Sequence, residues 1–339
     1  MATSGHKHSA QSLGEGAAAG DPLQYASSYH APVLCKAVVE GVVTNRGGVY
    51  VDATLGGGGH SAALLEALAP EGRVLGIDQD PDAHTAATAR LATERERGRF
   101  QLVPGNFSDV EGLLRQAGVP VVEGLLLDLG VSSHQIDTPA RGFSFRAEGA
   151  LDMRMNPDAP YDASDLVNTW SAAELRRIFR VYGEEPRARR IAEAVVAARP
   201  LTTTSDLADC VRRLVPAREA NKTLARVFQA LRIVVNGEME ALEQALDASV
   251  RVLKPGGRFA VISYHSLEDR RVKRFFRYGN LEGIARKDLY GNLLTPWELV
   301  TRKPIVADAA EVAANPRARS ARLRIATRRA DASPDGLAT

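Results

Sequence analysis

The chain has 339 residues, enough for two domains of about 150 residues each or for one domain carrying a large insertion. Hydrophobic residues make up 45% and charged residues 25%, ordinary globular proportions that exclude a fibrous repeat or disorder throughout. Its two cysteines, Cys35 and Cys210, fall in no CxxC or Cys/His spacing, which excludes a zinc module and a secreted disulfide scaffold, and both are expected in the core. No apolar run approaches the roughly 18 residues needed to cross a bilayer and the N-terminal stretch has no apolar core of a signal peptide, so a cytoplasmic protein without a membrane partner is expected. Net charge is only +2, yet residues 251–330 hold 18 Lys/Arg against 7 Asp/Glu. That asymmetry suits either a surface that meets a polyanion or a solvated basic face.

Residues 1–28 and 331–339 are poor in apolar anchors and read as a disordered leader and tail. VYVDA (49–53) is a β-type run that stops at four glycines, and His60 to Ala69 follows as a helix with Leu64, Leu65 and Leu68 on one side. RVLGI (73–77) is the next strand, followed by a helix opening at Pro81, and FQLV (100–103) is the third. Ser108 then begins SDVE, which reads as a capping box, and VVEGLLL (121–127) is apolar enough for a strand buried on both faces. Alternation at this spacing predicts a parallel, doubly wound sheet with ligands beyond its C-terminal strand ends. Between 136 and 236 the pattern is helical only, with starts at Ser171 (SAAE, a capping box), at Pro186, near Ser205 and at Thr223. A helix over 237–252 leads through a Pro-Gly-Gly turn to the strand RFAVIS (258–263), and RLRIAT (322–327) supplies a final strand. The expected organisation is therefore a sheet domain in two parts, 29–135 and 237–330, interrupted by a helical insertion over 136–236.

The loop DATLGGGGH (52–60) lies between the first strand and the first helix, where glycines admit close backbone approach of a ligand. Asp78 ends the second strand about 20 residues on, where a carboxylate can accept both ribose hydroxyls of an adenosine cofactor. A nicotinamide dinucleotide and S-adenosylmethionine both satisfy this pair. Asp52, just before the glycines, is poorly placed beside a pyrophosphate and well placed near an ammonium, which favours the methyl donor.

At LLLDLGVSSHQID (125–137) the chain stops being generic, and it resembles the bacterial ribosomal RNA small subunit methyltransferase H family. The likeness runs from about His30 to Thr327 and includes YVDATLGGGGHS (50–61), GIDQDP (76–81), NFSD (106–109), RGFSF (141–145), LDMRM (151–155), YGEE (182–185), FQALRIVVN (228–236) and LKPGGRFAVISYHSLEDRRVKRFF (253–276). It departs in a longer leader and in His134, where relatives often have proline. The resemblance implies an α/β class I S-adenosylmethionine-dependent methyltransferase, a Rossmann-like sheet with an inserted all-helical domain. It further implies methylation of the exocyclic N4 amine of a cytidine in the decoding region of 16S ribosomal RNA, in the small ribosomal subunit. Cofactor contacts implied in the same way are Gly58, Gly59, His60, Asp78, Phe107, Asp128 and Gln135.

Cytosine N4 is a poor nucleophile because its lone pair is delocalised into the ring, so acceptors for its N–H groups are needed beside an aligned methyl donor. Asp128 ends the fourth strand and is the first candidate, with Ser132 and Ser133 behind it, or else it only orders the cofactor. His265, beside Tyr264 at the end of the fifth strand, either relays a proton or is a hydrogen-bonded loop residue. Ser266, with Glu268 and Asp269 after it, reads as a helix cap. Phe143 and Phe145 either stack on the target base or belong to a core. Arg270, Arg271, Lys273, Arg274 and Arg277, and later Arg317, Arg319, Arg322 and Arg324, either hold a phosphate backbone or form a solvated face, and Arg141, Arg146 and Arg154 are expected in the cleft between sheet and insert. Methylation at cytosine C5 is disfavoured, since neither cysteine lies at a strand end. No His/carboxylate group has convincing ligand spacing, so no metal is expected. A nicotinamide-dependent oxidoreductase and a non-catalytic ribosome-binding protein with the same fold are the competing readings.

Overall fold

The computed structural model describes residues 24–26 and 31–330. The expected tail, and all of the expected leader except residues 24–26, lie outside the described residues. Seven strands form one sheet: β1 (Val49–Asp52), β2 (Arg73–Asp78), β3 (Phe100–Pro104), β4 (Val122–Asp128), β5 (Leu253–Ser263), β6 (Trp297–Leu299) and β7 (Arg322–Arg328). Their order is β3-β2-β1-β4-β5-β7-β6, with β1 to β5 parallel and β7 antiparallel to both of its neighbours. This is the doubly wound class I sheet expected from the sequence. Chain order reverses between β1 and β4, which opens a crevice at their C-terminal ends.

Both faces of the sheet are covered, and the period of two sorts its side chains between two cores. Val51, Leu75, Leu125 and Leu127 face one, Tyr50, Val74 and Leu126 the other. The segment from Leu151 to Val235 builds a third apolar cluster around Phe179, Ile191, Val211 and Leu231. Capping boxes at Asp162, Ser171 and Thr203 start three of its helices, satisfying amides that have no partner within the helix.

Several local expectations are corrected. Ser108 does not cap the helix after β3: Asp109 accepts from the Gly112 amide, one residue later. Helices expected from Pro186 and Thr223 run over Ala188–Ala197 and Ala217–Val235, and the next starts at Glu238 behind Gly237. The Pro-Gly-Gly stretch is no turn before a strand but an irregularity inside β5, where the register to β4 shifts between Val122 and Gly124. The three-residue β6 escaped notice because it is too short for a periodic signal, yet it delivers Trp297 onto Phe259, Phe275 and Phe276 at centroid distances of 5.5–6.1 Å. Cys210 is buried as expected, whereas Cys35 is only half-buried.

Candidate active site

β1, β2 and β4 each end in an aspartate, but the register separates them. Asp52 pairs with Gly76 and Leu126, so it sits two residues below Asp78 and Asp128, about 7 Å deeper along the strands. It is fully buried, accepts from Ser61 Oγ at 2.8 Å and anchors the glycine loop from beneath. Burial raises its pKa. Asp52 does not line the cleft, which corrects its expected place near an ammonium.

The cleft is lined by the loop backbone at Gly56 and Gly59, by His60, Asp78, Asn106, Phe107, Asp128, Ser132 and Gln135, and by Met155, Asn236, Glu238, Tyr264 and Glu268. No lysine or arginine is among the described residues that line it. Gly58 is not a lining residue either: with φ at +74° it heads helix Gly59–Ala67, and a Cβ there would meet Leu91 at 3.1 Å. Asp78 Oδ2 accepts from the Gly56 amide at 2.8 Å and Oδ1 from the Asp80 amide at 2.9 Å. Burial pushes its pKa up to about 6 even though both amides favour the charged form.

Asp128 is held from three sides. Its amide donates to Thr54 Oγ1 at 2.6 Å, Tyr264 Oη donates to its Oδ1 at 2.8 Å, and His60 Nε2 lies 3.3 Å from its Oδ2. Burial and the Asp128 charge raise Tyr264 well above its ordinary value, so the phenol stays a donor. For His60 burial disfavours the imidazolium, but Asp128 and the neighbouring Cys35 outweigh it and hold its pKa well above the ordinary value.

Ser132 sits near Asp128 but its hydroxyl accepts from the Gln135 amide at 3.2 Å, while Gln135 Oε1 accepts from the Ser132 amide at 2.9 Å, closing a capping box on helix Ser133–Asp137. Gln135 in turn donates to Asp80 Oδ2 at 2.7 Å. Of the pair at the end of β5, it is Tyr264 that lines the cleft. His265, not Ser266, caps helix Ser266–Tyr278, its Nδ1 taking the Glu268 amide at 3.4 Å and its Nε2 lying 3.2 Å from Glu268 Oε1. Ser266 Oγ donates instead to Glu184 at 2.8 Å. Glu238, His265 and Glu268 bring ligand-type atoms within 4.8 Å of one another. Arg232 already grips Glu238 through two bonds of 2.7 and 2.8 Å, so that charge is matched within the protein. Burial alone would raise Glu268, but His265, Arg232 and the Tyr264 amide bring it below the ordinary carboxylate range.

The helical segment reaches the cleft through Met155 and Asn236, which the sequence reading passed over although both lie in the blocks LDMRM and FQALRIVVN. Asn236 clamps this edge, accepting from the Met155 amide at 2.7 Å and donating to the Met153 carbonyl at 2.8 Å. Arg141 ties the segment to the sheet, donating to Asp80 Oδ2 at 2.9 Å and Asp82 Oδ2 at 2.6 Å. Arg154 folds back on Asp152 at 2.8 Å, and Arg146 is exposed. Phe145 packs edge-on against Phe228 at 5.4 Å and Phe143 joins the same helical core, so neither stands over the cleft. Among the basic residues, Arg270 pairs with Glu184, Arg271 with Glu243, Arg317 with Asp137, and Arg324 with the buried Asp269. Lys273, Arg274, Arg277 and Arg319 are exposed.

The MraW methylase family model matches residues 27–329 of the chain. The protein belongs to that family. The ribosomal RNA small subunit methyltransferase H of Chlorobaculum parvum is 52% identical over 313 residues, covering 88% of this chain and 97% of that protein. Its counterpart in Phocaeicola vulgatus is 48% identical over 304 residues, covering 89% and 98%. A solved rRNA methylase from Streptococcus thermophilus overlaps 87% of this chain and 93% of its own at 12% identity, but its TM-score of 0.35 is too low to bear on the fold, which rests on the strand order. As an MraW methylase this protein is an enzyme, an S-adenosylmethionine-dependent methyltransferase, which sets aside the nicotinamide and non-catalytic readings. The cleft suits that cofactor: it offers close backbone at Gly56 and Gly59, a carboxylate at Asp78 for ribose hydroxyls, and an acidic wall for a sulfonium cation. No helix among the described residues is long and apolar enough to cross a membrane.

Proposed function

We propose that this methyltransferase modifies the exocyclic N4 amine of a cytidine in 16S ribosomal RNA within the small ribosomal subunit. The observation that carries this reading is the Asp128 carboxylate, oriented by Tyr264 and His60 at the rim where donor and acceptor must meet. The names of the C. parvum and P. vulgatus relatives support the substrate class.

When bound, S-adenosylmethionine supplies an activated methyl group. Asp78 would receive the ribose hydroxyls, Gly59, His60, Phe107 and Gln135 would border the rest of the cofactor, and Gly58 would contribute only the turn that lets Gly59 approach. Asp128 would accept a hydrogen bond from the target N4–H, which would hold the amine lone pair toward the methyl donor and favour loss of that proton. Tyr264 holds the carboxylate in place without competing as a base. Ser132 and His265 act through position, as helix caps that fix Gln135 and Glu268. The segment 136–236 forms the substrate-fitting unit, and the exposed Lys273, Arg274 and Arg319 offer charge to the RNA backbone, joined by Arg270, Arg271 and Arg317 where RNA phosphates displace their carboxylate partners. The target base is unpaired or flipped, because a stacked amine cannot reach Asp128.

The test is methyl transfer from labelled S-adenosylmethionine to purified small subunits lacking native modification, followed by nucleoside mass analysis. N4-methylcytidine is the expected product. Label in another base or at another cytidine atom, or none with the cofactor bound, overturns the assignment.

A further inference from the structure

The chain between helix Ser266–Tyr278 and β6 exposes large apolar side chains that nothing among the described residues covers: Leu289 is 101% and Tyr290 91% exposed. They are not on a loose loop. Asp288 Oδ1 accepts from the Tyr290 amide at 2.9 Å and the Asn292 amide at 2.8 Å, Asn292 Nδ2 donates to Asp288 Oδ2 at 2.9 Å, and the Leu294 amide closes onto the Arg286 carbonyl at 2.9 Å. Gly291, at φ +86°, makes the reversal. At the base of the turn Asn280 brackets Ile284 with bonds of 2.8 and 2.9 Å. The structure thus spends ordered hydrogen bonds on presenting a leucine and a tyrosine to solvent.

The surroundings are cationic. Residues 270–294 hold seven Lys/Arg against two Asp/Glu. Lys273, Arg274 and Arg277 form no ion pair among the described residues, whereas Arg270 and Arg271, nearer the cleft, are matched by Glu184 and Glu243. Gly283, just ahead of the turn, lies against the Arg274 side chain, so the chain enters the turn beside the far half of the helix. That helix starts at the cleft rim and its 13 residues extend about 20 Å.

We propose that the turn Arg286–Leu294 and the outer face of helix Ser266–Tyr278 dock the substrate RNA several nucleotides from the methylated base, with Tyr290 and Leu289 stacking on an unpaired base. This rests on the ribosomal RNA reading above. An aromatic platform flanked by cations matches single-stranded RNA, whose bases stack on exposed rings while its phosphates meet lysine and arginine. Because no residue of Arg286–Leu294 lines the cleft at Asp128, the platform acts on substrate capture and not on the chemical step.

The experiment compares wild type, the double variant Leu289→Ala/Tyr290→Ala, and Tyr290→Phe for steady-state methylation of undermodified small subunits, cofactor Kd and sedimentation. Loss of one stacking contact raises KM for the subunit about tenfold. Unchanged kcat and cofactor affinity for the double variant, and near wild-type KM for Tyr290→Phe, complete the expected result. An active wild type with the same KM in the double variant overturns the docking surface alone. A double variant that turns a dimeric wild type monomeric without changing KM also overturns it, assigning the patch to a second copy. A wild type that neither binds nor methylates the subunit overturns the parent reading and this inference together.

Discussion

Asp78 couples cofactor binding, folding and pH, and the coupling can be worked through. Its folded pKa of about 6 stands against 3.8 for an unperturbed aspartate, with burial as the main cause. The folded protein without cofactor keeps this proton to about pH 6 and the unfolded chain loses it near 3.8. Stability from this group is therefore fully present below the lower value and lost as pH rises through the upper one. Two pKa units correspond to about 3 kcal/mol. The difference in unfolding free energy between wild type and Asp78→Asn should then fall by about 1 kcal/mol from pH 5 to 6 and level off above, as followed by urea denaturation. Ribose hydroxyls need the ionised form, so cofactor binding expels the proton. Wild-type Kd measured by calorimetry should rise about tenfold per pH unit below 6 and stay level above, whereas Asp78→Asn binds weakly at every pH. A wild-type Kd flat between pH 5 and 7.5, or a slope that survives in Asp78→Asn, would refute the reasoning.

Asp128→Asn should lower kcat about a hundredfold while leaving cofactor Kd within a few-fold, as read from single-turnover transfer and calorimetry. Tyr264→Phe removes a hydrogen bond to a charged group and should cost roughly tenfold in kcat, with KM for the subunit little changed. Arg141→Ala removes the guanidinium from the Asp80 carboxylate, which is only 1% exposed and keeps Gln135 and the Asp82 amide as donors, and should destabilise the protein by about 2 kcal/mol in urea unfolding. Gly149→Ala would place a Cβ 1.8 Å from the Pro139 carbonyl oxygen, so a loss of about 1–3 kcal/mol is expected from the same assay.

The features carried by local pattern were legible before the structure. Each strand from β1 to β5 announced itself as a short apolar run, and the glycine loop, Asp78 and Asp128 fell where such runs stop. What depends on pairing partners was not. Asp52 was expected near the cofactor's ammonium because it stands just before the glycines, and only the register against Gly76 and Leu126 shows it two residues below Asp78 and Asp128. The Ser171 box was readable because one candidate cap precedes its helix, whereas Ser108 had Asp109 as a rival. Between Tyr264 and His265 the sequence could not choose, since the choice depends on Asp128 waiting across the sheet. Met155 and Asn236 come from a segment whose own pattern says nothing of the cleft it will border.

The cleft carries four carboxylates, Asp78, Asp128, Glu238 and Glu268, against two cations, His60 on its wall and Arg232 behind Glu238, while exposed cations sit farther out along helix Ser266–Tyr278. Such an arrangement sorts visitors by the sign of their charge. A sulfonium is drawn inward, whereas a phosphodiester is repelled at the threshold and held by the cations outside it. The chain of the acceptor is thereby kept at arm's length and a neutral base alone crosses inward. Extrusion of the target is then as much an electrostatic requirement as a steric one, and a free cytidine nucleoside should enter this cleft more readily than its 5′-monophosphate.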